Sequence, residues 1–458
     1  MGLGSFNGKT AIAIATVFLN ATGLSAQDAE PTSPKKVTLG FGTRVLLDSN
    51  RDLDSESPGS TFEIAEQLSF GLITESGGRN LNLFASTELL YVDEPQGTSF
   101  GFDNPRVRLS YFNEAANADI SLSARYSRSR VSDALYFDGS TSDDLATDQG
   151  DVAIYGASLG FRIGTQNPVG FGFDASLFER EYIDTIDPDL SDFSSRSLGL
   201  SALMTFSPTT NGSFSTVWDS SETDNRQQLE RESFAYSFDV THELRRALIL
   251  DASIGYRTED TTEFGFTTRT EGIIGNLGAI QEMGNGSVFG DIDYDHSDSE
   301  DVVELEVGRS FDFDDGFLSA SLKLRDGSES GTQLLGSLDY QKELRNGSVN
   351  AFFNQDVSEN EDDEDVKYSS LGFGYTQGLT SVSDMNLSLL LSRSEDGGRG
   401  DVEQHDRADF TATYSRDLTQ DWDMSLGYRY RLSDEEFSPV ATSNAIFFNI
   451  SRNLALGF

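Results

Sequence analysis

Apolar side chains recur at every second position along almost the whole chain, and this period decides what the chain can fold into. Val37, Leu39, Phe41, Val45 and Leu47 begin the pattern, and Phe62, Ile64, Leu68, Phe70 and Leu72 continue it. Tyr155, Ala157, Leu159, Phe161 and Ile163 repeat it in the middle, as do Met424, Leu426, Tyr428 and Tyr430 near the end. A period of two sustained over about eight to twelve residues belongs to a strand with unlike faces. No stretch carries a helical period. Such segments number about 22 between Lys36 and the C-terminus, within a range of roughly 18–24 because boundaries are the weakest part of such a reading.

The connections come in two kinds. Short, turn-like ones at 75–80, 113–118, 165–168, 207–212, 284–286 and 345–347 alternate with longer acidic ones at 48–60, 132–150, 183–193, 357–365, 395–406 and 432–442. In an antiparallel up-and-down barrel one rim carries the turns and the other the loops. An even strand number follows, with both termini at the turn rim. A weak repeat supports growth by hairpins: Val240-Thr241-His242-Glu243-Leu244, Tyr340-Gln341-Lys342-Glu343-Leu344 and Tyr414-Ser415-Arg416-Asp417-Leu418 each place an acid and Leu before a turn. A propeller has a similar rhythm, but it does not call for alternating short and long connections.

The two ends of the chain narrow the class. Met1–Ala26 has one basic residue, Lys9, an apolar run from Ala11 to Leu19, then the small residues Gly23, Ser25 and Ala26, and reads as a secretory signal peptide. The run is too short for the roughly 20 residues of a spanning helix. Residues 27–35 form a short N-terminal segment before a single barrel domain over 36–458. At the other end Ile446, Phe448, Ile450, Leu454, Leu456 and Phe458 alternate up to a terminal aromatic. This ending resembles the C-terminal assembly signal of Gram-negative outer-membrane β-barrel proteins. The resemblance implies an all-β transmembrane barrel in the outer membrane, with lipid, lipopolysaccharide and the barrel assembly machinery as partners and Phe458 as the assembly signal. Because Ile450-Ser451-Arg452-Asn453-Leu454 matches the hairpin repeat, the last spanning strand is expected to finish near Asn453, with Phe458 just past the rim.

Composition fits that class. The chain is 37% hydrophobic, yet it holds 33 Phe, 15 Tyr and 43 Gly, as expected where alternate residues face lipid and water. A net charge of −43 excludes nucleic acid as a partner. The absence of cysteine excludes disulfides, thiolate metal sites and thiol catalysis. Tyr91, Tyr256, Tyr294 and Tyr428 close strands entering acidic loops, and Tyr111, Phe206, Tyr340, Tyr375 and Tyr414 close strands entering turns, which suits two interfacial girdles.

If the apolar rows face lipid, the opposite rows face a lumen. Arg125, Arg257, Arg325, Arg429 and Arg431 then become pore-lining candidates together with Asp291, Asp293 and Asp295. Wall-to-loop ion pairing is the plain reading of these charges; a transverse field is the sharper one, with Asp133, Asp138, Asp143, Asp144 and Asp148 in a constriction loop. Asp291-Ile292-Asp293-Tyr294-Asp295-His296 begins like a calcium loop but has His296 where Gly is needed and Val302 where a bidentate acid is needed. Glu359, Glu361, Asp362, Asp363, Glu364 and Asp365 could hold Ca²⁺ or Mg²⁺ diffusely or simply form a solvated loop, and no other cofactor is expected. The three histidines match no catalytic motif, so no enzyme is expected. The short segment before the first strand departs from the TonB-dependent receptors, which carry a large N-terminal plug. The expectation is therefore a passive, porin-like channel for small hydrophilic solutes or cations, with a polysaccharide export conduit or a structural, adhesive barrel as alternatives.

Overall fold

The computed structural model describes residues 35–131, 150–186, 190–224, 228–245, 247–297, 300–359, 364–398, 403–436 and 438–457. The predicted signal peptide and Phe458 lie outside them. The first eleven strands are β1 (Lys35–Asp48), β2 (Thr61–Ser76), β3 (Arg79–Glu94), β4 (Gly97–Ala115), β5 (Ala118–Arg130), β6 (Asp151–Ile163), β7 (Val169–Ile183), β8 (Phe193–Ser207), β9 (Thr210–Thr223), β10 (Leu229–Arg245) and β11 (Leu248–Glu263). The remainder are β12 (Phe266–Met283), β13 (Gly286–His296), β14 (Asp301–Phe313), β15 (Gly316–Gly327), β16 (Gly331–Leu344), β17 (Gly347–Glu359), β18 (Asp365–Thr380), β19 (Ser383–Asp396), β20 (His405–Asp417), β21 (Trp422–Glu435) and β22 (Ala441–Gly457). There is no α-helix among the described residues.

Each strand pairs antiparallel with the next, and β1 pairs with β22, so the 22-stranded sheet closes on itself. In the closing ladder Asp48 faces Ala445, Leu39 faces Leu454 and Lys36 faces Gly457. The terminal strand therefore does not finish near Asn453. Leu454 and Leu456 lie beyond the last pairing with β21, but Leu39 and Val37 of β1 still take them up, because the two ladders of β22 are staggered.

Pairing fixes which face each residue takes. Leu39, Phe70 and Ala85 share the outward face, while Gly40, Ser69 and Ser86 face the interior. Leu200, Ile254, Leu322 and Ile446 stand out on the exterior, each more than half exposed. The tyrosines expected at the girdles also fall on the outward face. The interior is polar, and the buried apolar residues are few, with one small cluster of Ala65, Leu90 and Val92 and another of Val131 and Val152.

Turn chemistry explains the two ends. At the turn end, Gly77 and Gly78 carry φ of +54° and +83°, the left-handed pair of a two-residue hairpin. The loop end differs from expectation at two places. Residues 95–96 and 264–265 join β3 to β4 and β11 to β12 with two residues each, so these hairpins continue as strand instead of opening into loops. Acidic composition marks the loop end, but strand propensity in the flanks decides how much of it becomes loop.

Inside the barrel, aromatic rings lie over glycines of the adjacent strand: Phe289 over Gly308, Phe352 over Gly372 and Phe447 over Gly427. A Cβ at any of these glycines meets the ring. Gly427→Val, which displaces the Phe447 ring, is expected to lower stability by about 1–3 kcal/mol, read as a lower urea midpoint of the protein folded in lipid vesicles.

Candidate functional site

The loop end is closed in part by the connection between β1 and β2. Asp48, the last residue of β1, is 1% exposed. Its carboxylate accepts hydrogen bonds from the Asn50 N–H at 2.9 Å, the Ser443 hydroxyl at 2.5 Å and Arg431 Nη2 at 3.0 Å. Arg431 also donates to the Arg51 carbonyl at 2.7 Å, and Arg429 lies 3.9 Å from Asp48. The loop then turns inward: Leu53 is 1% exposed, and the Asn50 side-chain amide donates to the Asp54 carbonyl at 2.8 Å and accepts from the Asp54 N–H at 3.2 Å. Arg51 pairs with Glu63 at 2.5 Å and with Glu94, while Arg130 at the end of β5 approaches Glu63 at 3.4 Å and Asp52 at 3.8 Å. Charges buried this deeply are tolerated because each has an opposite charge within 4.0 Å, and Asp48 has hydrogen bonds besides.

A second clasp joins the connections β13–β14 and β15–β16. Glu300 accepts from the backbone N–H groups of Ser330 at 3.1 Å and Glu329 at 3.2 Å, from the Ser330 hydroxyl at 3.0 Å and from Arg325 at 2.8 Å. Burial by itself raises the Glu300 carboxyl, but the hydrogen bonds from Ser330 and Glu329 and the Arg325 charge outweigh it and hold the group below the ordinary glutamate value of 4.5.

The lumen walls differ in sign around the ring. On β13, Asp291, Asp293 and Asp295 form an inward row facing Glu304 and Glu306 of β14. Arg257 pairs with Asp295 at 2.8 Å, Asn276 donates to Asp293 at 2.6 Å, and Lys323 bridges Glu304 and Asp356 at 3.3 Å each. On the other side, Arg106, Arg108 and Arg125 share the inward face of β4 and β5. Sequence reading named Arg125 and missed its two companions, although the alternation Arg106-Val107-Arg108-Leu109 places both on the polar face.

The structure thus brings Asp291, Asp293, Asp295 and Arg257 together on one wall and leaves Arg125 on the opposite one. Arg325 and Arg431 turn inward but lie buried in clasps, at 9% and 1% exposed, instead of facing an open pore. Arg429 is half-buried beside Asp48. Residues 132–149, with Asp133, Asp138, Asp143, Asp144 and Asp148, lie outside the described residues; the inward loop that the structure does describe is 49–60. Of the acidic run at the β17–β18 connection, the Glu359 side chain, Glu361, Asp362 and Asp363 lie outside the described residues, and Asp365 is buried. No group of three or more His or acidic residues placed to hold a metal ion occurs among the described residues.

No family model and no curated protein sequence matches the chain. Solved structures do. The FrpB iron transporter from Neisseria meningitidis (F5-1 variant) superposes with a TM-score of 0.61 at 8% identity, over 92% of this chain and 82% of its own. The siderophore receptor PirA from Pseudomonas aeruginosa gives 0.53 at 11% identity, over 93% and 81%. A mutant of the ferric enterobactin receptor PfeA from Pseudomonas aeruginosa, in complex with enterobactin, gives 0.58 at 8% identity, over 93% and 82%. At these identities the likeness is one of fold, that of the closed antiparallel β-barrel. The porin-like reading is corrected here. These structures are transporters and receptors for iron and siderophores, not passive diffusion channels, and neither a polymer conduit nor an adhesive barrel has a counterpart among the three.

Two consequences of the clasps are measurable. Arg431→Met leaves the buried Asp48 with only the more distant Arg429, 3.9 Å away, as a charged partner and is expected to cost about 3 kcal/mol, with protease cleavage within residues 49–57 accelerated. Glu300 is depressed in the fold, so its contribution is present in full above pH 4.5 and is lost as pH falls through the lower folded value. The urea midpoints of wild type and Glu300→Gln should accordingly differ at neutral pH and converge in acid.

Proposed function

We propose that this protein is a ligand-specific uptake receptor of the outer membrane. Its barrel spans the bilayer with the turn end in the periplasm and the loop end outside. The observation that carries this reading is the superposition of 92% of the chain on the FrpB iron transporter, across a barrel closed by 22 strands. The interior supports it. The clasps fix the β1–β2 connection across part of the mouth, and the lumen walls hold charges in set positions, an arrangement suited to selecting a solute rather than passing many. The protein performs transport and no chemical conversion.

Outward apolar rows between tyrosine girdles meet lipid, and lipopolysaccharide surrounds the loop end. Phe458 serves the barrel assembly machinery as a terminal tag. The acidic run from Glu359 to Asp365 attracts Mg²⁺ or Ca²⁺ from the lipopolysaccharide layer.

The test is uptake of iron-55 by cells lacking their own ferric-chelate receptors and expressing this chain, given a panel of ferric catecholate and hydroxamate chelates. Saturable uptake of one class, competed by its unlabelled form, is expected. Unsaturable entry of unrelated sugars and chelates alike would overturn the reading.

A further inference from the structure

We infer that Arg106, Arg108 and Arg125, with Phe178, form a lumenal binding site for a ligand carrying several oxyanion groups of carboxylate or phosphate type. This deepens the uptake reading and rests on it for the route by which the ligand arrives.

Register brings the cluster together. Arg108 stands directly opposite Arg125 across the β4–β5 ladder, and Arg106 lies two residues along β4 on the same face. Like charges placed opposite each other are destabilising in a sheet. Several other arginines of this barrel are neutralised by carboxylates: Arg44 by Glu88 at 2.8 Å, Arg128 by Asp151, Arg407 by Asp409 at 3.2 Å and Arg431 by Asp48. Among the described residues, Arg106 and Arg125 have no carboxylate partner, and both are exposed to the lumen. Glu88, on the neighbouring strand, is already engaged by Arg44, by Gln67 at 3.0 Å and by Asn104 at 3.4 Å. In a chain of net charge −43, two lumen-exposed arginines without a carboxylate partner among the described residues, beside a third on the same face, are not what composition supplies by default.

Arg125 is also held in place. Its neighbour across the next ladder is Gly156, and a Cβ there would lie 3.0 Å from Arg125 Nε and 3.1 Å from its Cγ. The missing side chain lets the guanidinium lie over β6 and reach the Phe178 ring of β7, 5.5 Å from its centroid. Stacking covers one face of the guanidinium and leaves its edge N–H donors free for the fork geometry that oxyanions accept. Ser86 and Ser127 flank Arg106 on the adjoining strands, adding hydroxyl donors without bulk.

The test is calorimetric titration of the purified full chain in detergent with citrate and with pyrophosphate, using glucose as the neutral control. Citrate or pyrophosphate should bind, with affinity falling as salt rises, and glucose should not. Arg108→Gln/Arg125→Gln should weaken binding at least tenfold. Arg125→Lys should lose part of it because it keeps charge without the fork, and Arg162→Gln on the same wall should change nothing. Removing like charges leaves folding intact, which the heat-dependent gel mobility of each variant checks. Absence of binding by both anions to wild type, or equal binding by the double variant, would overturn the site. Anion binding without saturable chelate uptake leaves the site standing and removes the uptake reading, whereas uptake without anion binding does the reverse.

Discussion

Everything in this barrel depends on the ladder between its first and last strands. A strand in hydrocarbon cannot leave its N–H and C=O groups unpaired, since each unsatisfied group there costs several kcal/mol, so a sheet in a membrane has to close. Here closure joins residues 36–48 to 445–457, the two extremes of the described chain. All the intervening hairpins can form from neighbours in sequence, but this one ladder has the longest loop-closure cost. The apolar exterior, the polar lumen and the mouth clasps take their positions from it. The Arg431–Asp48 pair illustrates the point, because it ties β21 to the end of β1 across β22 and so locks the loop end of the same seam.

The lumen turns the usual logic of a core inside out. Its walls carry few apolar contacts, so order comes from ion pairs, hydroxyl contacts and rings seated on glycines. A fixed polar wall is costly to leave unpaired and selective once paired. The wall therefore shows where a solute is expected to act: pairs such as Arg257–Asp295 are already satisfied, whereas Arg106 and Arg125 have no carboxylate partner among the described residues.

Much of the fold was legible in the sequence because period two is a direct record of facing. Leu39, Phe41 and Val45 announce their outward side whatever the strand beside them, and Glu75–Asn80 reads as a turn through its two glycines. The stagger that carries Leu454 and Leu456 past β21 onto β1 was not legible, because register between strands far apart in sequence leaves no local mark. Nor was the role of the acidic loops. Asp48 and Arg431 look like mouth charges, and only the three-dimensional seam makes them a buried pair. The porin-like expectation rested on the short segment before the first strand and on the acidic loops, and neither reports whether the lumen discriminates.

The seam itself can be measured most directly by cross-linking, which the absence of native cysteine makes clean. With Leu39→Cys and Leu454→Cys in the full chain folded in outer membranes, mild oxidation should form an intramolecular disulfide, while Leu39→Cys with Arg452→Cys should not. Cross-linking of the second pair instead of the first, or of neither, would contradict the closed 22-stranded barrel and its register.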